Sequence, residues 1–169
     1  WIAAIVTDDS ERLLLSVARA DGSAQKYFDL DLETDDEEPW FMTSQLSWSP
    51  DAALVLVAPP TQFRIVDVTS ARVERYVDPS AEEIAFGVFS RQGRMMHYLA
   101  GSATGDPNAE ERRIELKSHD FRKDRTRTLF TFSDVPEHEL FGRFSASPNG
   151  KMIALRYTAR TEEGDESVR

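Results

Sequence analysis

The sequence predicts an all-β fold. Short runs rich in β-branched and aromatic residues are separated by turn-forming residues along the chain. Apolar spacing typical of an α-helix is not sustained over about ten residues anywhere. The runs also recur in four groups that resemble one another at a spacing of about 40 to 50 residues, which is typical of the blades of a β-propeller.

The first group contains three predicted strands, at residues 1–6, 12–19 and 25–32. Asp21-Gly22 lies between the second and third runs and predicts a hairpin, because both residue types tolerate a positive φ. The acidic stretch 29–38 and Pro39 then end the group.

The second and third groups each contain four runs, and each predicts one four-stranded antiparallel sheet. The runs of the second group are 46–49, 53–58, 62–68 and 72–77, and those of the third are 84–90, 94–100, 113–118 and 126–132. Residues 101–110 are rich in Gly, Pro, Ser and Asn and are predicted to form an exposed loop inside the third group. A fourth group follows at residues 140–145 and 151–159.

A turn motif aligns three of the groups. It reads Trp48-Ser49-Pro50-Asp51 in the second group, Phe89-Ser90-Arg91-Gln92-Gly93 in the third and Ala146-Ser147-Pro148-Asn149-Gly150 in the fourth. The spacings between Trp48, Phe89 and Ala146 are 41 and 57 residues, and the longer one contains the 101–110 insertion. An apolar run follows each turn, as expected where a tight turn joins two strands that pack between sheets. The first group lacks the Ser-Pro turn.

These repeats resemble those of WD40-like propellers of the TolB type, which also occur in the propellers of prolyl-oligopeptidase-family peptidases. The third runs of the groups add to the resemblance, because residues 28–34, 65–69 and 114–120 are each similar to the family's third strand running into an Asp-x-x-Thr-Gly-like turn. The resemblance implies approximate blades at 1–38, 39–80, 81–135 and 136–160, with a polar tail at 161–169. A chain of three and a half to four blades favours part of a larger ring over a four-bladed ring closed on itself.

Charge and composition narrow the classes of partner. The chain has 30 Asp and Glu against 20 Lys and Arg, a net charge of −10, which disfavours nucleic acid because phosphate binding depends on basic side chains. The sequence contains no apolar window long enough to span a membrane. It also contains no cysteine, which excludes disulfides and thiol chemistry.

The sequence predicts no catalytic site, no metal site and no cofactor site. His97, His119 and His138 lie in different groups without the close spacing of a metal-ligand set. The alternating acids of 29–35 lack the glycine that a calcium loop needs at its sixth position, where Thr34 stands, so they indicate a strand with one solvated face. A Gly-x-Ser-x-Gly nucleophile motif and the glycine-rich phosphate-binding motifs are also missing.

Two functions are compatible with these features. The first is a non-catalytic module that presents loop surfaces to a protein partner or to the rest of the same propeller, with the acidic loop and the 101–110 insertion as binding surfaces. The residues predicted to bind a partner are Asp35, Asp36, Glu37, Glu38 and Trp40. The alternative is a propeller domain that gates a prolyl-oligopeptidase-like serine hydrolase whose catalytic domain lies outside this chain.

Overall fold

Antiparallel strands make up all of the regular structure in the computed structural model. The structure describes residues 1–10, 12–32, 45–58, 62–103, 111–136, 144–147, 152–155, 158–160 and 166–168. Within these ranges every element is a β-strand, and each strand pairs antiparallel with its neighbour in the sheet. The all-β prediction is therefore confirmed.

The first three strands form one sheet, which we call blade 1. They are β1 (Ile2–Thr7), β2 (Leu13–Ala18) and β3 (Lys26–Asp29), in the order β1-β2-β3. Ala4 pairs with Ser16, which in turn pairs with Tyr27, so these three side chains share one face of the sheet.

Two four-stranded sheets follow, and both are consecutive in strand order. Blade 2 consists of β4 (Gln45–Trp48), β5 (Leu54–Ala58), β6 (Phe63–Asp67) and β7 (Arg72–Tyr76). Blade 3 consists of β8 (Glu83–Phe89), β9 (Met95–Ala103), β10 (Glu111–Asp120) and β11 (Arg125–Pro136). The four-stranded antiparallel blades predicted for these groups are confirmed.

Two short hairpins complete the described part of the chain. Strand β12 (Phe144–Ala146) pairs with β13 (Ile153–Leu155), and β14 (Thr158–Arg160) pairs with β15 (Glu166–Val168). Strand β8 of blade 3 contacts β4 and β5 on one side and β12 on the other, so the first strands of successive groups lie side by side. Residues 166–168, which the sequence assigned to a polar tail, form β15.

The aligned turns have the same hydrogen bonds. In blade 2 the Ser49 amide donates to the Leu54 carbonyl at 2.9 Å, and the Ser49 hydroxyl accepts from the Leu54 amide at 2.8 Å. Ser90 makes the same two bonds with Met95, and Ser147 makes them with Met152. A serine at this position therefore closes each turn from both its backbone and its side chain.

Blade 1 closes the equivalent turn without serine. The Asp8 amide donates to the Arg12 carbonyl at 3.1 Å, and the Asp8 carboxylate accepts from the amides of Ser10 and Arg12 at 2.9 Å. A carboxylate thus takes the place of the serine hydroxyl. In blade 2, Ala52 has φ 55 where blade 3 has Gly93 at φ 64, so alanine adopts the left-handed conformation that favours glycine.

The turns after the third strands also repeat. The Asp67 carboxylate accepts from two following amides, and the Asp120 carboxylate does the same. Four residues after each aspartate the backbone enters the left-handed region, at Ala71 with φ 59 and at Asp124 with φ 45. This recurrence agrees with the aspartate turns on which the resemblance rests.

Two apolar clusters join the blades face to face. The cluster between blades 1 and 2 contains Leu15, Val17, Phe28, Leu30, Val55, Val57, Val66 and Val68. The cluster between blades 2 and 3 contains Leu56, Ala58, Phe63, Ile65, Ile84, Phe89, Met96, Tyr98 and Ala100. Blade 2 contributes alternate residues of β5 to the two clusters, as the two-residue period of a strand requires.

Two local predictions were wrong. Residues 101–103 belong to β9 and pair with β10, so the predicted 101–110 loop cannot begin before residue 104; residues 104–110 lie outside the described ranges. His119, which lies just beyond the predicted run 113–118, belongs to β10 and is buried. In both places the strands of blade 3 continue beyond the apolar runs that identified them.

Candidate functional site

The residues predicted to bind a partner, Asp35 to Glu38 and Trp40, lie outside the described residues. The function of this loop therefore stays a prediction. Candidate sites in the described part of the chain are found instead at the two junctions between blades and on the face of blade 1 that is turned away from blade 2.

A buried ion pair lies at the junction of blades 2 and 3. Asp78 follows β7, and Lys117 lies on β10; their side chains are 3% and 5% exposed, and Nζ of Lys117 donates to Oδ2 of Asp78 at 2.9 Å. Lys117 Nζ also lies 2.6 Å from the Ser80 hydroxyl, which bonds the other carboxylate oxygen at 2.7 Å. The Tyr98 hydroxyl donates to Oδ2 of Asp78 at 2.8 Å. The buried carboxylate is therefore fully hydrogen-bonded, as burial of a charge requires.

The hydroxyl network extends from this pair toward the outer strands. Tyr76 Oη lies 2.8 Å from Tyr98 Oη and 3.1 Å from the Thr126 hydroxyl, which in turn lies 3.1 Å from Nδ1 of His119. The rings of Tyr76 and His119 are 4.6 Å apart. Side chains from both blades thus form one continuous polar chain beneath the apolar cluster.

Hydrogen bonds and burial shift the pKa values in this network away from neutral pH. Burial opposes ionisation of Asp78, but the hydrogen bonds from Ser80, Lys117 and Tyr98 outweigh it and lower its pKa to about 2. Burial, together with bonds to Tyr76 and Asp78, raises the pKa of Tyr98. Burial also lowers the pKa of His119, against the opposing effect of nearby aspartates. At neutral pH the network holds a carboxylate and an ammonium ion in place, and its geometry serves to join two blades.

The pH dependence of stability should report on Asp78. Its folded pKa lies below the usual 3.8, so its stabilisation is present above that value and is lost as pH falls toward 2. We expect this one group to contribute roughly 2 kcal/mol. Urea unfolding of the natural chain and of Asp78→Asn should therefore show a difference in stability that narrows between pH 5 and pH 2. A constant difference across this range would contradict the assignment.

Arg64 and Lys26 join blades 1 and 2 through hydrogen bonds to backbone carbonyls. Arg64 on β6 is 3% exposed, and its guanidinium donates to the carbonyls of Leu30 at 2.6 Å and Asp31 at 2.8 Å. Lys26 on β3 reaches in the opposite direction and donates to the Val68 carbonyl at 2.9 Å. Each blade therefore supplies a cation that bonds the backbone of the other.

The second face of blade 1 is turned away from blade 2 and is exposed at its edge strands, although Ser16 on the middle strand is buried. We call this surface the open face; it consists of Ile2, Ala4, Val6, Leu14, Ser16 and Tyr27. Ile2 is 56% exposed and Tyr27 is 57% exposed, and a shallow groove runs between β1 and β3. On blade 2, the corresponding face is covered by blade 1, and its Val55, Val57 and Val66 are fully buried.

His97 and His119 are the two histidines in the described part of the chain. His97 lies on β9, where burial and the positive charge of Arg127 lower its pKa, and its Nδ1 has no hydrogen-bond partner. Within the described ranges, no group of three or more His, Asp or Glu side chains could hold a metal ion. His138 lies outside these ranges. No helix in the described part of the chain is long and apolar enough to cross a membrane.

Comparison with solved structures shows a β-propeller fold. The tricorn protease superposes with a TM-score of 0.64 at 13% identity, over 92% of this chain and 14% of the protease. TolB from Acinetobacter baumannii gives 0.59 at 18% identity, over 98% of this chain and 37% of TolB. The Pyrococcus horikoshii acylaminoacyl peptidase gives 0.54 at 11% identity, over 98% of this chain and 29% of the peptidase. No family model and no curated protein matches the sequence.

The superpositions cover different shares of the two proteins compared. This chain is matched almost completely, yet it spans 14% to 37% of the length of these three propeller-containing proteins. Identities this low carry the fold alone and leave function to be argued from the surfaces of this chain.

Proposed function

We propose that the chain is a non-catalytic propeller module that binds protein through the open face of blade 1 and through its loops. The main support is the contrast between two corresponding faces. The face of blade 2 that packs on blade 1 buries Val55, Val57 and Val66 completely, whereas Ile2 and Tyr27 on the open face are more than half exposed. Large exposed apolar side chains gathered on one sheet face are typical of an interaction surface.

The energy available from covering this face is considerable. Full burial of one large apolar side chain contributes about 1.5–3 kcal/mol, and the open face offers Ile2 and Tyr27 together with the smaller Ala4 and Val6 of β1. Trp1, which precedes Ile2, is 48% exposed, and its ring centroid lies 5.8 Å from the Arg19 guanidinium. A second sheet is a suitable cover, because blade 2 already covers the opposite face of blade 1 in that manner.

The acidic loop belongs to the same proposal. Asp35, Asp36, Glu37, Glu38 and Trp40 directly follow blade 1 in the sequence and combine negative charge with an aromatic side chain. We propose that they extend the binding surface toward a partner with complementary basic residues.

A single lysine on the open face tests the proposal. Sedimentation velocity should show that the 169-residue chain self-associates as its concentration increases. Without a partner, the apolar open face of one copy should pack against that of another. Tyr27→Lys should keep the chain monomeric. Ala20→Lys adds the same charge to an exposed turn of blade 1 and should leave association unchanged. A natural chain that stays monomeric at all concentrations, or a control as effective as Tyr27→Lys, would refute this role.

A second candidate function draws on two of the structural neighbours. The tricorn protease and the acylaminoacyl peptidase are hydrolases by name, and this chain matches only a part of each. On this alternative, the chain is the propeller part of a serine hydrolase and gates access to a separate catalytic domain. The coding sequence beyond Arg169 tests this alternative. A Gly-x-Ser-x-Gly nucleophile motif there would support the hydrolase function, and the lack of one would refute it.

A further inference from the structure

We propose that the outer strand of blade 3, β11, binds an extended acidic segment of a partner protein as a fifth strand. The inference deepens the proposed protein-binding function but uses a surface separate from the open face of blade 1. The two can therefore fail independently, since neither Tyr27 nor its neighbours take part in this site.

The first argument is the geometry of the edge. β11 is the last strand of its sheet and is 12 residues long, whereas the outer strand of blade 2, β7, has 5. Among the described residues only β10 forms a ladder with β11; β14 approaches it without pairing. The second row of N–H and C=O groups along β11 pairs with none of the described strands, and such an edge is the basis of peptide recognition by strand addition.

The second argument is charge. Residues 125–132 contain Arg125 and Arg127 and no acidic residue, in a chain whose net charge is −10. Both side chains are exposed, and neither guanidinium forms an ion pair with a described residue. Arg122 and Lys123 add two exposed cations in the preceding turn. Asp120 lies across the ladder from Arg125 and Asp124 precedes it, but neither forms an ion pair with Arg125 or Arg127, so an acidic partner segment could pair with both arginines.

The third argument is the arrangement of side chains along one face. Arg125, Arg127, Phe130 and Phe132 pair with Asp120, Ser118, Leu116 and Ile114, which alternate along β10 and so point to the same side of the sheet. A bulge at Leu129 keeps the two phenylalanines on the side of the two arginines. Phe130 is 57% exposed, and its ring contacts that of Phe132 at 4.8 Å.

The order of these side chains specifies the partner. An antiparallel strand, the orientation found in every described sheet, would place two apolar residues opposite Phe132 and Phe130, and then two acidic residues opposite Arg127 and Arg125. The partner segment therefore has alternate apolar residues followed by alternate acidic residues. Main-chain hydrogen bonds would contribute affinity, and the charges would set direction and register.

The experiment uses synthetic peptides as probes. A fluorescent Val-Thr-Val-Thr-Glu-Thr-Glu peptide is titrated with the natural chain and with two double variants. Both variants are first checked to have the melting temperature of the natural chain. Arg125→Glu/Arg127→Glu should weaken binding about tenfold or more, because each cation becomes a repelling anion. Arg72→Glu/Arg75→Glu makes the same change on the outer strand of blade 2 and should leave affinity unchanged.

Two altered peptides separate strand addition from simple charge attraction. Replacing glutamate by lysine should abolish binding, and methylating alternate backbone nitrogens should abolish it although the charge is kept. The proposal is overturned if the natural chain does not bind the first peptide, if the N-methylated peptide binds equally well, or if the two double variants weaken binding to the same extent. Association of the chain with itself through β11, rather than with the peptide, would also overturn it.

Discussion

Replacing Lys117 with methionine is expected to lower the free energy of unfolding by about 3–5 kcal/mol. The substitution removes the cation but leaves Asp78, whose side chain is 3% exposed, as a buried carboxylate that has lost its counter-ion. Hydrogen bonds from Ser80 and Tyr98 remain but cannot neutralise the charge. Urea unfolding at neutral pH measures the loss.

Two further variants make the result specific to the ion pair. Lys123→Met removes a lysine from an exposed turn of the same blade and should change stability by less than about 0.5 kcal/mol. Adding Asp78→Leu to Lys117→Met should cost less than the sum of the single changes, because both act on one interaction. Additive losses would show that the two residues do not stabilise the junction as a pair.

Replacing Gly87 with alanine is expected to destabilise the chain by about 1–3 kcal/mol. A Cβ atom at this position would lie 2.5 Å from Cδ2 of Leu56 and 3.3 Å from Cζ of Phe63. Both neighbours are fully buried between blades 2 and 3, so Leu56 cannot turn away without displacing other core residues. The shift in the midpoint of urea unfolding measures this cost.

A second change tests whether the clash is with Leu56. Leu56→Ala alone leaves a cavity and should cost about 2–5 kcal/mol. In that background Gly87→Ala should cost little or even restore stability, since the added methyl group enters the vacated space. An equal cost in both backgrounds would mean that blades 2 and 3 do not approach each other at Gly87 as described.

The turns show what the sequence could predict. Ser49, Ser90 and Ser147 occur in recognisable motifs because the bonds they form are local, within five residues of each serine. Their alignment relates the first two runs of the second, third and fourth groups, and the strands of blade 2 lie within one residue of the predicted runs. Local chemistry also explains blade 1, where Asp8 closes the turn although the Ser-Pro motif is missing.

The junctions between blades could not be predicted in this way. Asp78 and Lys117 are 39 residues apart and meet only because two sheets stack face to face. A lysine within the run 113–118 resembles any solvated strand residue until the neighbouring blade covers it. The sequence shows a lysine inside a strand-like run and an aspartate before Pro79-Ser80, but neither feature indicates that the two residues meet.

The candidate binding surfaces depend on the same long-range information. Tyr27 and Phe28 are adjacent aromatic residues of one strand, yet one is exposed and the other is packed against blade 2. Alternation identifies two faces of a strand but does not say which face is covered. The predicted acidic loop, by contrast, stays a sequence-based prediction, since Asp35 to Glu38 and Trp40 lie outside the described residues.

Hydroxyl-radical footprinting tests the central claim that the open face of blade 1 is a protein-binding surface. The oxidation of Ile2 and Tyr27 would be compared in the isolated 169-residue chain and in the protein as it occurs in its cells, with the buried Tyr98 as an internal control. We expect Ile2 and Tyr27 to be oxidised in the isolated chain at concentrations low enough to keep it monomeric and to be protected in cells, while Tyr98 is protected in both. Equal oxidation of Tyr27 in the two settings would contradict the claim.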